Sequence, residues 1–163
     1  MTARPDDKLL TPSILDRLID YEPDRSHDDA SNQGQVLREL KEAIRRDLQD
    51  LLNSKRQFLT WPADYDELDY SLVNYGIADF TGVTFTGSDE QANLARSLER
   101  TILQFEPRLK SVRVQIHAVD RYNRQLRFQV NAMMQVYPSP EPVMFDSVME
   151  PQSRSISVTS AAT

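Results

Sequence analysis

The chain has 163 residues, of which 39% are hydrophobic, and its formal net charge is −6. This length predicts one domain with a modest core, and the acidic balance disfavours a nucleic acid as partner. The absence of cysteine excludes disulfides and cysteine-ligated metals, and it is compatible with a reducing compartment.

Residues 1–35 are polar and irregular, and they predict an N-terminal arm. A short amphipathic segment interrupts the arm, and residues 22–35, rich in Asp, Ser, Asn and Gly, predict a linker. We expect Leu15 and Leu18 in this segment to bind a partner. No signal peptide or apolar run long enough to cross a membrane is visible, so we expect a cytoplasmic protein without direct membrane insertion.

Residues 36–54 predict the first main helix, because apolar side chains recur there at steps of three or four. A second row of alternating charge predicts ion pairs on a solvated face. Its members are Arg38, Glu42, Arg46 and Asp50. Residues 57–87 lack a sustained period, and they predict a long loop with local structure that packs on its own aromatic side chains.

The second main helix is predicted to begin at Ser88, which forms a capping-box pattern with Gln91. Apolar residues at helical spacing continue to Phe105. Pro107 then ends the helix, because proline disfavours helical geometry in the residue before it. Phe105 and Pro107 are therefore predicted to fix the corner between this helix and the segment that follows.

After the corner the apolar residues recur every second position, which predicts β-strands. Two such runs flank turn residues at 120–123 and predict a hairpin. Prolines at 138, 140 and 142 break the chain, and residues 143–149 and 154–159 predict two further strands. The sum is a single α+β domain over 36–159, followed by a tail at 160–163. We expect a mainly antiparallel sheet of about four strands covered by two main helices.

Catalytic and metal-binding patterns are weak. His27 and His117 lie in no known nucleophile or zinc spacing, so structural roles are favoured for both. Glu99 and Glu106 are the candidates for a carboxylate pair that cleaves glycosidic bonds, but the sequence shows no cleft between them. The acidic run from Asp64 fails as a calcium loop, because Asp69 replaces the required glycine. We therefore predict no catalytic residue, metal or cofactor.

Four segments resemble motifs of one known family, the gp25-like baseplate wedge proteins. The most telling one is Glu106-Pro107-Arg108, within residues 105–109. The other three are residues 10–20 with Glu22-Pro23, residues 46–56, and residues 71–80, in which Ala78 departs from the usual proline. The first of these three most closely resembles the branch of the family that serves type VI secretion systems.

The resemblance implies a structural baseplate subunit and no enzymatic activity. Its implied partners are TssF, TssG and TssK, together with the sheath proteins TssB and TssC, whose assembly it would help to nucleate. The implied location is the cytoplasmic baseplate, at the inner face of the cytoplasmic membrane. One alternative is a baseplate protein of a contractile phage tail or tailocin. A peptidoglycan-cleaving, lysozyme-like enzyme is a less favoured one.

Two hypotheses about contacts follow from the resemblance. Glu106 and Arg108 are expected to bind a partner, although an ion pair inside the domain would explain the same two residues. Ile156 and Val158 alternate with polar residues on an edge strand, which could pair with a sheath segment by strand addition. An ordinary edge strand or a frayed tail is the alternative for that segment.

Overall fold

A computed structural model describes residues 33–57, 59–79, 87–119, 125–136, 139–150 and 155–161. The predicted α+β architecture is confirmed, with two main helices and four antiparallel strands. The predictions for Leu15, Leu18 and the turn at 120–123 lie outside the described residues. The elements are α1 (Gln33–Asn53), α2 (Ser88–Phe105), β1 (Leu109–Val119), β2 (Leu126–Met134), β3 (Glu141–Glu150) and β4 (Ser155–Ser160).

The four strands lie in the order β1-β2-β3-β4, each antiparallel to its neighbour. The helices cover one face of this sheet, with α1 packed mainly on β4 and α2 mainly on β1. The two edges of the sheet therefore each lie under one helix.

Neither described helix is long and apolar enough to cross a membrane.

The core forms where the apolar stripes of the helices meet the inner face of the sheet. Ile44, Leu98 and Ile102 are fully buried against the strands, and so is Val130 in β2. Each such side chain contributes about 2 kcal/mol through its removal from water. The alternation that the sequence shows in β2 is thus the alternation between core and solvent.

The start of α2 differs in detail from the prediction. The helix begins at Ser88, but its N-cap is Gly87 and not Ser88. The backbone N–H of Gly87 donates to Glu90 Oε2 at 2.8 Å, so Glu90 rather than Gln91 closes the first turn. Two residues at the other end, Glu106 as C-cap and Pro107 after it, end α2 at Phe105 as predicted.

The strands contain irregularities that periodicity missed. Pro142 does not break the chain but lies inside β3, paired with Met133. A proline fits there because β4 reaches only as far as Phe145, so no ladder partner on that side needs its missing N–H. In β1 a register shift accompanies a positive φ of 51° at Ser111, and this bulge brings Leu109 into the core beside Val112.

The segment between the helices contains two short 3₁₀ helices, Ala63–Tyr70 and Leu72–Asn74. The expectation that its aromatics pack the loop is wrong for Tyr65 and Tyr70, which are 58% and 74% exposed. Tyr75 instead packs edge-on against Phe105, with ring centroids 5.3 Å apart. The segment is thereby attached to the end of α2.

Candidate functional site

Backbone hydrogen bonds by themselves define the corner between α2 and β1. The N–H of Glu106 donates to the carbonyl of Ile102 at 2.9 Å, and the N–H of Leu109 donates to the carbonyl of Glu106 at 3.1 Å. Between them Pro107 is exposed at the tip of the turn. The corner is consequently a short, hydrogen-bonded turn that sets the direction of β1.

Glu106 and Arg108 form a two-point ion pair within this turn. Arg108 Nε donates to Glu106 Oε1 at 2.6 Å, and Nη2 donates to Glu106 Oε2 at 2.5 Å. The same guanidinium also donates to Asp47 on α1. Only 6% of the Glu106 side chain is exposed, against 24% for Arg108 and 33% for Asp47. One arginine thus joins the corner to the other helix.

The electrostatics of this cluster favour a charged arginine. Burial by itself lowers the pKa of Arg108, but the hydrogen bonds and charges of Glu106 and Asp47 outweigh it and leave the pKa above its ordinary value. Burial also raises the pKa of Tyr75, and nearby Asp50, Asp47 and Glu106 raise it further. Tyr75 therefore lies in the negative electrostatic field of Asp47 and Glu106, the two carboxylates that pair with Arg108.

The sequence left open whether the Glu106–Arg108 pair faces inward or outward, and the structure places the pair mainly inward. Glu106 lies behind Arg108, so a partner at this corner meets the exposed Pro107 and the exposed parts of Arg108 and Asp47. Sequence reasoning missed Asp47. Its position just before Leu48, at the margin of the apolar stripe, was the available signal.

The outer edge of β4 is covered by a row of polar side chains on α1. Asn53 accepts the N–H of Ile156 at 2.8 Å and donates to its carbonyl at 2.8 Å. Arg45 donates to the carbonyl of Val158 at 3.0 Å, and Gln49 accepts its N–H at 3.4 Å. We name Arg45, Gln49 and Asn53 the α1 clamp. Their spacing of four places all three on one side of the helix.

This geometry bears on the expected strand addition at Ile156 and Val158. Both side chains are buried in the core, and the backbone groups that an added strand would need are bonded to the α1 clamp. A strand can pair there only after these helix side chains release the edge. Each clamp residue comes directly after one core residue of α1, namely Ile44, Leu48 or Leu52. This polar row is visible in the sequence, but its spacing alone does not show that it covers β4.

The opposite edge is capped in the same manner by α2. Glu99 Oε1 accepts the N–H of Val114 in β1 at 2.9 Å, and Glu99 Oε2 lies 3.8 Å from Arg113 Nη1. The two carboxylates considered for glycoside cleavage are therefore both engaged in internal contacts, Glu99 with β1 and Glu106 with Arg108. Neither lies in the apolar pocket that a general acid needs.

The other candidates for chemistry are not brought together. His117 is exposed on β1, and His27 lies outside the described residues. Within the ranges that the structure describes, no three His, Asp or Glu side chains are arranged to hold a metal ion.

The α1 clamp makes a testable prediction through Asn53→Ala. The substitution removes two hydrogen bonds to Ile156, and we expect it to lower the free energy of unfolding by about 1–2 kcal/mol. Because the β4 edge then has open backbone groups, self-association should rise with concentration. Urea denaturation and size-exclusion chromatography measure the two effects.

Asn93→Ala is the matched control, since Asn93 is exposed on α2 and only accepts a bond from Arg96. It should change the free energy of unfolding by no more than a few tenths of a kcal/mol, and it should leave self-association unchanged. Equal behaviour of the two variants would show that the clamp does not protect the edge.

Comparison with known proteins adds one family match. The sequence model of the family described as "Baseplate wedge protein gp25" matches residues 38–139, which is more than half of the chain. The matched range contains most of α1, all of α2, the corner and the first two strands. A search of curated proteins found no match.

Proposed function

The chain belongs to the gp25 family of baseplate wedge proteins, and on this premise we propose that it is the TssE-type wedge subunit of a type VI secretion system. The family match supports a structural role in a baseplate. The observation that carries the role within this molecule is the corner, where Arg108 holds Glu106 and Asp47 in one rigid cluster. Such a cluster presents a fixed surface to a partner.

The assignment to a secretion system rather than a phage tail or tailocin depends on the N-terminal segment. Residues 10–20, followed by Glu22-Pro23, resemble the N-terminal motif of the secretion branch, and they lie outside the matched range of 38–139. The proposed partners are TssF, TssG and TssK, at the cytoplasmic side of the inner membrane. Leu15 and Leu18 are proposed to contribute to these contacts.

Co-expression of the chain with TssF, TssG and TssK from the same genome tests the assignment. We expect the four proteins to elute together from a size-exclusion column, and the complex to be lost when residues 1–32, which precede α1, are deleted. Elution of the chain alone would contradict the secretion-system role. Co-elution with proteins of a neighbouring phage tail cluster would favour the alternative.

The docking of the corner on a helical bundle of TssF and TssG gives a second prediction. Arg108→Ala should abolish co-elution, because it removes a partly exposed arginine side chain and releases Glu106 and Asp47 from their shared partner. The substitution also weakens the fold, so circular dichroism alone is an insufficient control.

Gly76→Ala supplies the required comparison, since it is expected to weaken the fold by a similar amount without removing a charged group of the corner. Both variants are assayed well below their melting temperatures. Loss of binding in Arg108→Ala alone would support the corner as a docking site. Equal loss in both variants, or unchanged binding in Arg108→Ala, would contradict it.

The proposed contact with the TssB/TssC sheath needs a test that leaves the core intact. Truncation after residue 151 is unsuitable, because it would remove the buried side chains of Ile156 and Val158. The chain has no cysteine, so Ser157→Cys would place a single thiol on the exposed side of β4. Cross-linking to sheath proteins from this position, and not from Gln115→Cys on β1, would support the proposal. Cross-linking from Gln115→Cys and not from Ser157→Cys would contradict it.

A further inference from the structure

The segment between the two helices exposes a group of large apolar side chains. Leu72 is 86% exposed, Tyr70 is 74% exposed, and Tyr65 and Val73 are 58% and 44% exposed. Single exposed apolar residues are ordinary on protein surfaces, but four of the seven large apolar side chains that are exposed in the described residues fall within these nine positions, a concentration that favours an interaction site. We name Tyr65, Glu67, Asp69, Tyr70, Leu72 and Val73 the 65–73 surface.

This surface is held in place by its own hydrogen bonds. Ser71 Oγ donates to the carbonyl of Leu68 at 2.8 Å, and Asn74 Nδ2 donates to the carbonyl of Asp69 at 2.9 Å. The side chain of Gln104 on α2 also donates to the carbonyl of Asp69. The first two bonds lie within the segment and the third attaches it to the second helix, so its apolar side chains are presented on an ordered support.

The segment that carries these side chains is acidic. Residues 57–87 contain five acidic residues and no Lys, Arg or His. Asp64, Glu67 and Asp69 are exposed, and no ion pair joins them to a basic residue in the described ranges. Glu67 and Tyr70 are three positions apart after the kink at Tyr65, so they lie on the same face of this 3₁₀ helix. Exposed carboxylates and exposed apolar side chains therefore occur together in this segment.

We propose that the 65–73 surface docks a basic amphipathic segment of another protein, which places apolar side chains on Tyr70 and Leu72 and Lys or Arg beside the carboxylates. Electrostatic complementarity selects this occupant. The chain's own residues 1–32 hold four basic and eight acidic residues, and a second copy carries a net charge of −6, so net charge disfavours both as occupants. The inference does not rest on the proposed function.

In-cell photo-crosslinking tests the occupant. The full chain carries photoreactive p-benzoylphenylalanine in place of Leu72, or in place of Met144 as the matched control. Met144 is 43% exposed on the sheet face away from the helices. We expect the crosslink from position 72 to map by mass spectrometry to one segment of another protein in which Lys and Arg outnumber Asp and Glu.

A synthetic peptide of the mapped segment then measures affinity for the purified chain. Leu72→Ser should weaken its binding about tenfold or more, Met144→Ser should leave it unchanged, and added salt should weaken it further. Crosslinks to residues 1–32, to a second copy or to an acidic or neutral segment would overturn the proposal. So would a yield at position 72 no higher than at 144, or equal affinity of Leu72→Ser.

Discussion

Arg108→Ala is expected to lower the free energy of unfolding by about 3 kcal/mol, because it leaves a buried carboxylate without its cation. Glu106 is 4% exposed, and its two oxygens accept from Arg108 Nε and Nη2. Asp47 loses its bond to the same guanidinium. The estimate stands at the lower end of the range for buried pairs, since Arg108 itself is partly exposed. Urea denaturation followed by circular dichroism measures the change.

Arg113→Ala is the matched control for this prediction. Arg113 lies on β1 and, like Arg108, is near a carboxylate, but 77% of its side chain is exposed and Glu99 lies 3.8 Å away. Its loss should change stability by less than about 0.5 kcal/mol. If both arginine variants were equally stable, the Glu106–Arg108–Asp47 cluster would not hold the corner together.

Gly76→Ala is expected to lower the free energy of unfolding by about 3 kcal/mol, through backbone strain together with a steric clash. Gly76 has a φ of +105°, which side-chain-bearing residues rarely adopt. An added Cβ would lie 2.4 Å from the carbonyl oxygen of Ser54. That carbonyl accepts the N–H of Ile77 at 2.9 Å, so it cannot move away without breaking a bond.

Gly34→Ala is the control, and its expected effect on stability has the opposite sign. Gly34 lies in α1, where an added Cβ meets no atom within 4 Å. Alanine should therefore stabilise the helix by up to about 1 kcal/mol. Thermal unfolding of the two variants should shift in opposite directions. A Gly76→Ala protein as stable as the parent would mean that the close approach of Ser54 and Gly76 is relaxed in solution.

The sequence predicted those features of the fold that depend on regular spacing. The steps of three and four around Ile44 and Leu98 predicted the helices, and the alternation around Val130 predicted the inner face of the sheet. Pro107 ended α2 where a proline must, because it restricts the residue before it.

What the sequence did not reveal depends on contacts between distant residues. Asp47 and Arg108 are 61 positions apart, and Asn53 and Ile156 are 103 apart, so no local pattern pairs them. Gly87 replaced Ser88 as the cap because Glu90 reaches back to its N–H. The bulge at Ser111 likewise arises from the pairing of β1 with β2, which periodicity in one strand does not report.

The position of Asp47 between Arg45 and Gln49 has a mechanical consequence. The same helical turn that binds Arg108 at the corner also covers the β4 edge on its other side. A helix is stiff over so short a length, so a force that pulls α1 away from the corner also strains the bonds to Val158. α1 therefore links the corner mechanically to the edge of β4.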